Sequence, residues 1–570
     1  MTPRHAFQWR SQVGELERYV RRAEIAYFTM EIALRDEMHT FSGGLGVLAG
    51  DMARSAADLD MPMVFVSLAS RDGYVLQTFD ARNAQLSAPN PWEPEAWARP
   101  LSQLVDVEIG GRKVWIRPWL YEVEALGGSV PVVLLDTDIE RNEPRDRSIT
   151  GRLYGGDAAD RLKQEIVLGI GGERVLRALG FEIRTYHLNE GHAALLPLKL
   201  LVNTARQAGS RRTYDETVVR ERCVFTTHTP VATAFDQFSY DLTQEMLGDF
   251  IELKTLKRLA GDTALNMTRL ALSLSGYVNG VAERHAETAS NMFPGVSIRS
   301  ITNGIHLSTW THHQFKELYD RYVPHWRHEP EVLAFADQIP DQEIWDAHQK
   351  AKQELLSLVA DRTGLMLDPA LPIIGFARRM TAYKRPDLLF RDLGRLRDVA
   401  RSRPFQIVLA GIAHPADFPG LKLIEDLHAY IATLASAIPV AFLPGYNMTL
   451  ARSLVAGSDV WLNTPQPPYE ASGTSGMKAA SNGVLNLSIL DGWWVEGCVE
   501  GVTGWSIESS SASDTDALLQ KLGDIVLPLY ADNRDKWVFM MKQSISKLSP
   551  MFSSHRMIRR YASEAYLARA

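Results

Sequence analysis

The sequence predicts an α/β protein with two domains facing a cleft. Three observations carry that prediction: short apolar runs that alternate with helical periodicity, a break in the alternation near residue 306, and a length of 570 residues, more than one ordinary core organises. The first series of runs is MPMVFVSLA (61–69), VPVVLLD (130–136), FEIRTYHLN (181–189) and CVFTTHTP (223–230), and it reads as strands of a largely parallel sheet. The second is LPIIGFA (371–377), FQIVLAG (405–411), VAFLPGY (440–446), DVWLNT (459–464) and VLNLSI (484–489). Between them lie a polar, helix-rich stretch over 311–361 and a turn-rich segment at 364–372, so the domains are expected to be 1–305 and 306–570. The N-terminus, with Arg4, Arg10, Glu15, Glu17, Arg18, Arg21 and Arg22, reads as an amphipathic helix rather than a secretory signal. The last segment, from Ser553 to Ala570, is expected to pack back across the first domain.

Composition narrows the function classes. Hydrophobic residues make up 45% and charged residues 23%, as in ordinary globular proteins. A net charge of −7 supplies no global basic field, which argues against nucleic acid or an anionic membrane as partner. No run approaches the ~20 apolar residues that span a bilayer. The two cysteines, Cys223 and Cys498, lack CxxC spacing and read as buried small hydrophobes in a reducing compartment, with the cytoplasm as default.

The motifs sit mostly at strand ends. FSGGLGVLAGD (41–51) brings Gly43, Gly44 and Gly46 to a loop entering a helix, where backbone amides approach a phosphate; its GGLG spacing is not the dinucleotide fingerprint, and a simple tight turn is the alternative. HLNEGH (187–192) and TTHTP (226–230) follow apolar strands. His187, Glu190 and His192 match neither HExxH nor HxxEH, so a metal is not expected. Asn189, Glu190 and His228 suit a hydroxyl-rich ligand, whereas His187 and His192 are also compatible with satisfied core histidines. In ITNGIH (301–306), Asn303 offers both a donor and an acceptor to sugar hydroxyls.

After the strand LPIIGFA come Arg378, Arg379, Tyr383, Lys384 and Arg385, which place four cations where open α/β sheets bind ligands. Cations at a helix start oppose its dipole unless an anion joins them, which favours anion binding over a solvated basic turn. The last motif is EASGTSGMK (470–478), in which Gly473, Thr474, Ser475 and Gly476 form a turn able to hold a phosphate. Lys478 follows as a candidate Schiff-base lysine whose burial would favour the neutral amine. A phosphate cradle beside an imine-forming lysine points to pyridoxal phosphate; a helix start with a solvated lysine is the alternative.

With these motifs in the family's order, the chain resembles the α-glucan phosphorylases, the glycogen and maltodextrin phosphorylase family, in their short bacterial or archaeal form. The resemblance also rests on YFTME (27–31), YGGD and RLKQEIVLGIGG (154–172), GFARRMTAYKR (375–385) and EASGTSGMKAASNGVLNLSILDGWW (470–494), and it spans most of the chain. It implies two Rossmann-like domains around a deep cleft, the GT-B type of glycosyltransferase architecture. It further implies bound pyridoxal 5'-phosphate, α-glucan (glycogen, starch or maltodextrin) and inorganic phosphate as substrates, glucose 1-phosphate as product with retained configuration, and a homodimer. Lys478 resembles the cofactor lysine, with Thr474, Ser475 and Tyr446 around the cofactor. Arg379 and Lys384 fall at the substrate phosphate, with the Gly43–Gly44 loop helping, and Arg378 stands where long members have lysine. His228, Asn303, Tyr383, Glu470, Ser472 and Gly473 fall around the glucosyl unit, and Glu190 and His192 on a cleft-lining loop. The family's imine mainly anchors the cofactor, whose phosphate exchanges a proton with inorganic phosphate.

Departures from the family pattern are Phe235 and Asp236 in place of a His-Asp pair, Ile412 in place of the lysine of an AGKAHP segment, and TPQPPY (464–469) in place of an arginine-rich approach. Other readings are a nucleotide-sugar transferase of the same architecture, which would not need Lys478, and a noncatalytic glucan-binding homologue. The long N-terminal extension of regulated members is lacking, so no phosphorylation switch is expected.

Overall fold

The structure, a computed structural model, describes residues 12–208, 211–231, 235–508 and 513–567. Helix α1 (Gln12–Val20) is the described part of the expected N-terminal helix; Arg4 and Arg10 lie outside the described residues. Next come β1 (Ile25–Thr29), α2 (Gly44–Asp58), β2 (Met63–Leu68), and a hairpin of β3 (Leu76–Phe79) and β4 (Gln85–Ala88). They are followed by β5 (Arg112–Glu124), β6 (Ser129–Asp136), β7 (Thr185–Asn189), β8 (Cys223–Thr226) and β9 (Tyr277–Gly280). The first sheet runs in the order β9, β8, β7, β1, β2, β6, β5, with short strands beyond. The pairs from β9 through to β6 are parallel, and only β5, which the sequence reading did not find, runs antiparallel to β6. β1 is buried at every position because helices cover both faces of the sheet, so its sequence IAYFT shows no alternation.

The helix-rich stretch forms α3 (His313–Tyr322) and α4 (Asp341–Thr363). It is less polar in function than in composition, since Trp310, Phe315, Tyr319 and Trp326 enter the core of the second unit. That unit holds β10 (Ile373–Ala377), β11 (Gln406–Ala410), β12 (Val440–Leu443), α5 (Met448–Gly457), β13 (Val460–Asn463), α6 (Ser475–Ala480), β14 (Leu485–Ile489) and β15 (Gly504–Ile507). The sheet is parallel throughout, in the order β12, β11, β10, β13, β14, β15.

Both sheets reverse their winding once. In the first, the chain moves outward from β1 through β2 to β6, then returns to β7 on the other side of β1; in the second it moves from β10 to β12 and returns to β13 beside β10. Loops leaving the two strands at such a reversal part and open a crevice. The loops after β1, β7, β10 and β13 contain most of the motifs read from the sequence.

The units are joined at several points. Gln77 on β3 donates to the Gly411 carbonyl at 2.9 Å and accepts from the Gly445 amide at 3.0 Å. Gln85 on β4 makes reciprocal bonds to the Ala413 main chain at 2.8 and 3.1 Å. Asp36 accepts from the Met448 and Thr449 amides at 2.9 and 3.0 Å, so an acid of one unit caps helix α5 of the other. Helix α7 (Ser554–Tyr561) then crosses back, and Met557, Ile558 and Tyr561 share a core with Ile25, Tyr27 and Met52. A β-carbon at Gly304 would stand 2.3 Å from the Ser553 carbonyl, so the start of this crossing requires glycine there.

Asp58 on α2 ties the crossing down. It accepts from His306 at 2.8 Å, and His555 Nε2 stands 3.2 Å away. Burial would raise its carboxyl, but these imidazoles hold it well below the usual carboxylate range. A depressed carboxylate contributes stability that is present above its unfolded value of about 3.9 and is lost as pH falls toward the folded one. Asp58→Ala is therefore expected to cost roughly 3 kcal/mol at pH 7, the scale for removing one partner of a buried pair. The denaturation midpoint read by circular dichroism checks this, and the deficit should shrink below about pH 4; a deficit independent of pH would assign the effect to packing.

Candidate active site

The centre of the site is a buried ion cluster. Arg378, leaving β10, donates to Glu470 at 2.5 Å, and Lys384 donates to both Glu470 oxygens at 2.7 and 2.6 Å. Burial pushes the Glu470 carboxyl up, but the adjoining Arg378 and Lys384 charges prevail and hold it down to about 2. The Glu470 amide is donated to Asp491 at 2.9 Å, and burial pushes that carboxyl up to about 6. Arg385, with φ of 45°, is turned away and binds Asp514 at 2.6 Å and the Thr464 and Pro465 carbonyls. The expectation of four cations open to an anion is thus corrected: three are held by Glu470 or Asp514, because uncompensated like charges this close together would repel. Among the described residues, Arg379 alone of the four has no hydrogen-bond or ion-pair partner.

Arg379 reaches across to the first unit. Its Nη2 lies 3.3 Å from where a β-carbon on Gly43 would be, so this glycine permits the approach. Glu31, just after β1, accepts from the Ser42 and Gly43 amides at 2.5 and 3.2 Å and from the Tyr154 hydroxyl at 2.9 Å. The chain's own carboxylate therefore takes the Gly43 amide, while Gly44 begins helix α2 with open space beside it. Tyr74 and His414, with rings 5.8 Å apart, stand on the same side.

The loop after β7 supplies a second buried carboxylate. Glu190 has φ 75° and ψ 168°, a region almost reserved for glycine and costing about 1–3 kcal/mol in other residues. The conformation is sustained by three bonds to its side chain: from the Gly191 amide at 2.9 Å, the His228 amide at 2.7 Å and the Thr229 hydroxyl at 3.0 Å. Burial raises its pKa. His228 Nε2 faces Asn189 Oδ1 at 2.6 Å, which assigns the ring proton to Nε2, and burial pulls this imidazole down to about 3, so it is neutral. His187 is a satisfied core histidine, bonded to the Tyr566 hydroxyl at 2.6 Å and to Thr226 at 2.8 Å. His192 is half-buried beside Asp236 at 3.3 Å, and Asp236 also binds Arg161 at 3.0 Å. Asp236 thus supplies a polar group to this loop, while Phe235 packs on Phe293 at 5.5 Å.

Lys478 lies on the six-residue helix α6, 7% exposed. Its Nζ sits 3.6 Å from the centroid of the Trp310 ring, and the Trp310 indole donates to both Asp51 oxygens at 3.0 and 2.8 Å. Burial pulls its ammonium down to about 8, against the opposing pull of Asp51. A β-carbon at Gly476 would lie 2.4 Å from Asn486 Oδ1, which makes this glycine a packing requirement of the turn. Thr474 is the N-cap with no side-chain capping bond, and the Ser475 hydroxyl accepts from the Trp461 indole at 3.1 Å. Tyr446 is pushed up to about 12 by burial, within the field of Arg378. The Lys384 ammonium lies 4.8 Å from the Tyr383 ring centroid, and Gly473, with φ of 71°, turns the chain above Glu470.

Among the described residues, Arg378 Nη1, Ser472 Oγ, Asn303 Oδ1 and Asn463 Oδ1 are buried without a protein hydrogen-bond partner. Such orphans are costly unless a ligand or water meets them. A buried lysine of low pKa, an uncapped helix start and these orphans fit a phosphorylated aldehyde cofactor and a hydroxyl-rich substrate. The departures at 412 and 464–469 also find places. The Ile412 carbonyl accepts from Met380 between the two docking points of the β3–β4 hairpin, and Thr464 and Gln466 bond to the 383–385 main chain that carries Lys384. Sequence reasoning gave no role to Glu31, Asp51, Tyr154, Trp310 or Asp491. Glu31 and Asp51 end two of the quoted motifs, but only the fold shows what they hold.

The family model described as carbohydrate phosphorylase matches residues 251–502. The chain is 38% identical over 591 residues to a maltodextrin phosphorylase of Thermococcus litoralis, covering 95% of this chain and 70% of that protein. It is 34% identical over 605 residues to a glycogen phosphorylase of Aquifex aeolicus, covering 95% and 86%, and 35% identical over 612 residues to one of Mycobacterium tuberculosis, covering 95% and 70%.

A lysine whose pKa is about 8 should react with aldehydes at lower pH than a surface lysine. Reductive trapping of an aldehyde on cofactor-free protein, read by peptide mapping, is expected to reach half its maximum at Lys478 near pH 8. Asp51→Asn should move that midpoint lower, since the carboxylate favours the ammonium. A wild-type midpoint near the ordinary lysine value of about 10.4 would contradict the burial argument.

Proposed function

Because the chain belongs to the carbohydrate phosphorylase family, we propose that it phosphorolyses the terminal α-1,4-linked glucose of an α-glucan, glycogen or maltodextrin, to glucose 1-phosphate with retained configuration. The observation that carries this reading is Arg379, a guanidinium of the second unit without a hydrogen-bond or ion-pair partner among the described residues, which meets the glycine loop of the first. Inorganic phosphate is the anion it would bind, in bidentate fashion, with the Gly44 side of the loop open beside it. Glu470 holds Arg378 and Lys384 in place, Lys384 beside Arg379 for the substrate phosphate and Arg378 as a further positive charge, so that two anions can approach each other in a preorganised cationic field. His228, Asn303 and Ser472, with Glu470 itself, are the proposed partners of the glucosyl hydroxyls; Glu190 and Asn189 orient His228 from behind, and His192 and Tyr383 border the cleft. Lys478, with Thr474, Ser475 and Tyr446, is the proposed seat of pyridoxal 5'-phosphate. When bound, that group supplies a phosphate that exchanges a proton with the substrate phosphate. Trp310 and Asp51 hold the lysine amine that would anchor it. We place the enzyme in the cytoplasm, in keeping with two free thiols, and as a homodimer by resemblance to the family.

Phosphate-dependent release of glucose 1-phosphate from maltodextrin, on protein reconstituted with pyridoxal phosphate, tests the reading. Arg379→Ala is expected to raise KM for phosphate and lower kcat/KM by roughly 100-fold, the scale for losing one preorganised donor to a developing anion, while cofactor absorbance is retained. Glucosyl transfer to the glucan from a nucleotide sugar with no phosphate-dependent release, or cofactor trapping without turnover, would replace the proposal with a transferase or a glucan-binding protein.

A further inference from the structure

Away from the cleft, two adjacent histidines and a glutamate converge where α3 begins against α4. His312 precedes α3, His313 opens it and Glu354 projects from α4. Glu354 Oε2 lies 3.1 Å from His312 Nε2, and Glu354 Oε1 lies 3.2 Å from His313 Nε2. One ligand atom from each of the three residues falls within 4.8 Å of the other two. We propose that His312, His313 and Glu354 form a site for a divalent transition-metal ion of the zinc type, with water in the remaining position.

The geometry suits that ion. Bonds of about 2.0–2.2 Å in a tetrahedron set neighbouring ligand atoms about 3.3 Å apart; each imidazole nitrogen lies near that distance from a different Glu354 oxygen, so a rotation of the exposed Glu354 carboxylate would bring one oxygen toward both nitrogens. The backbone turns both rings the same way: His312 is extended at ψ of 149°, His313 is helical, and their ring centroids are 4.2 Å apart. Two imidazoles and one carboxylate suit zinc, copper or nickel better than magnesium or calcium, which prefer oxygen alone. One wall is fixed and the other open, as a site filled from solvent needs: the His312 side chain is 10% exposed, while His313 and Glu354 are 54% and 50% exposed. Coordination through Nε2 moves each ring proton to Nδ1, so His312 exchanges its 3.1 Å hydrogen bond to Glu354 for a bond to the metal and gives up the 3.4 Å contact that its Nδ1 accepts from the Gln314 amide.

The ion would clamp α3 to α4 and would be linked to the cleft. The His312 amide is donated to Asn482 Oδ1 at 2.7 Å, and Asn482 Nδ2 donates to the Lys478 carbonyl at 2.8 Å and the Trp310 carbonyl at 3.0 Å. Fixing the His312 backbone therefore steadies the main chain of the lysine and of the tryptophan under its amine.

The test uses the full chain, free of any affinity tag and treated with chelator. Calorimetric titration with Zn²⁺ is expected to show one strong site per chain and a raised thermal midpoint. His313→Ala and Glu354→Gln, both at exposed positions remote from the cleft, should weaken binding by roughly tenfold or more and abolish the thermal shift while leaving basal turnover and circular dichroism unchanged. Copper(II) paramagnetic resonance should show two coupled nitrogens in the wild type and one in His313→Ala. The chain has 15 histidines, so adventitious binding is a real competitor; absence of a one-to-one site, or equal affinity and the same nitrogen pattern in the variants, overturns the proposal.

Discussion

The Glu470 carboxylate is the interaction on which the rest of the cleft depends. Arg378 and Lys384 leave the same strand end within a few residues of each other, and without an anion between them their like charges would push them apart toward solvent. Glu470 supplies that anion from the neighbouring strand's loop and is itself held through its amide by Asp491. Among the described residues, the cluster leaves Arg378 Nη1 unsatisfied and Arg379 without a partner, so its charge is only partly spent on structure. A folded protein sustains such incomplete pairing where a ligand completes it, and the cost is borne by the two well-packed sheets around it.

The same logic governs the first unit. Glu31 and Glu190 are buried carboxylates, each placed just after a strand on one side of the winding reversal, and each satisfied mainly by amides and hydroxyls. They set the glycine loop and the His228 loop at fixed height without adding positive charge. The clustered cations Arg378, Arg379 and Lys384 come from the other unit. Because Arg379 of one unit meets the glycine loop of the other, the contacts that fix their distance, from Gln77, Gln85 and Asp36, matter as much as any residue inside the cleft.

Much of this was legible in the chain. The apolar runs at 371–377 and 405–411 give parallel strands because a strand covered on both faces needs apolar residues throughout, a pattern that composition alone reveals. Lys478 after a glycine-rich turn was legible for a similar reason, since the turn needs small residues and the lysine needs apolar neighbours. The hairpin at 76–88 was not, for its strands are short and mostly exposed, and its purpose is contact with residues more than 300 positions away. Nor was the pairing of Arg385 with Asp514, which removes one cation from the expected anion site.

The sequence by itself determined the two α/β units, the strand ends on which the candidate site residues stand, and the family to which those motifs belong, because each follows from local periodicity or from residues close together in the chain. Which of four clustered cations stays free, which carboxylate occupies the glycine loop, and which indole lies beneath Lys478 were decided only by the tertiary structure. Those choices depend on charges and ring faces brought together by the winding reversals and by the crossing of α7, and Coulombic and desolvation energies follow distance in space rather than distance along the chain.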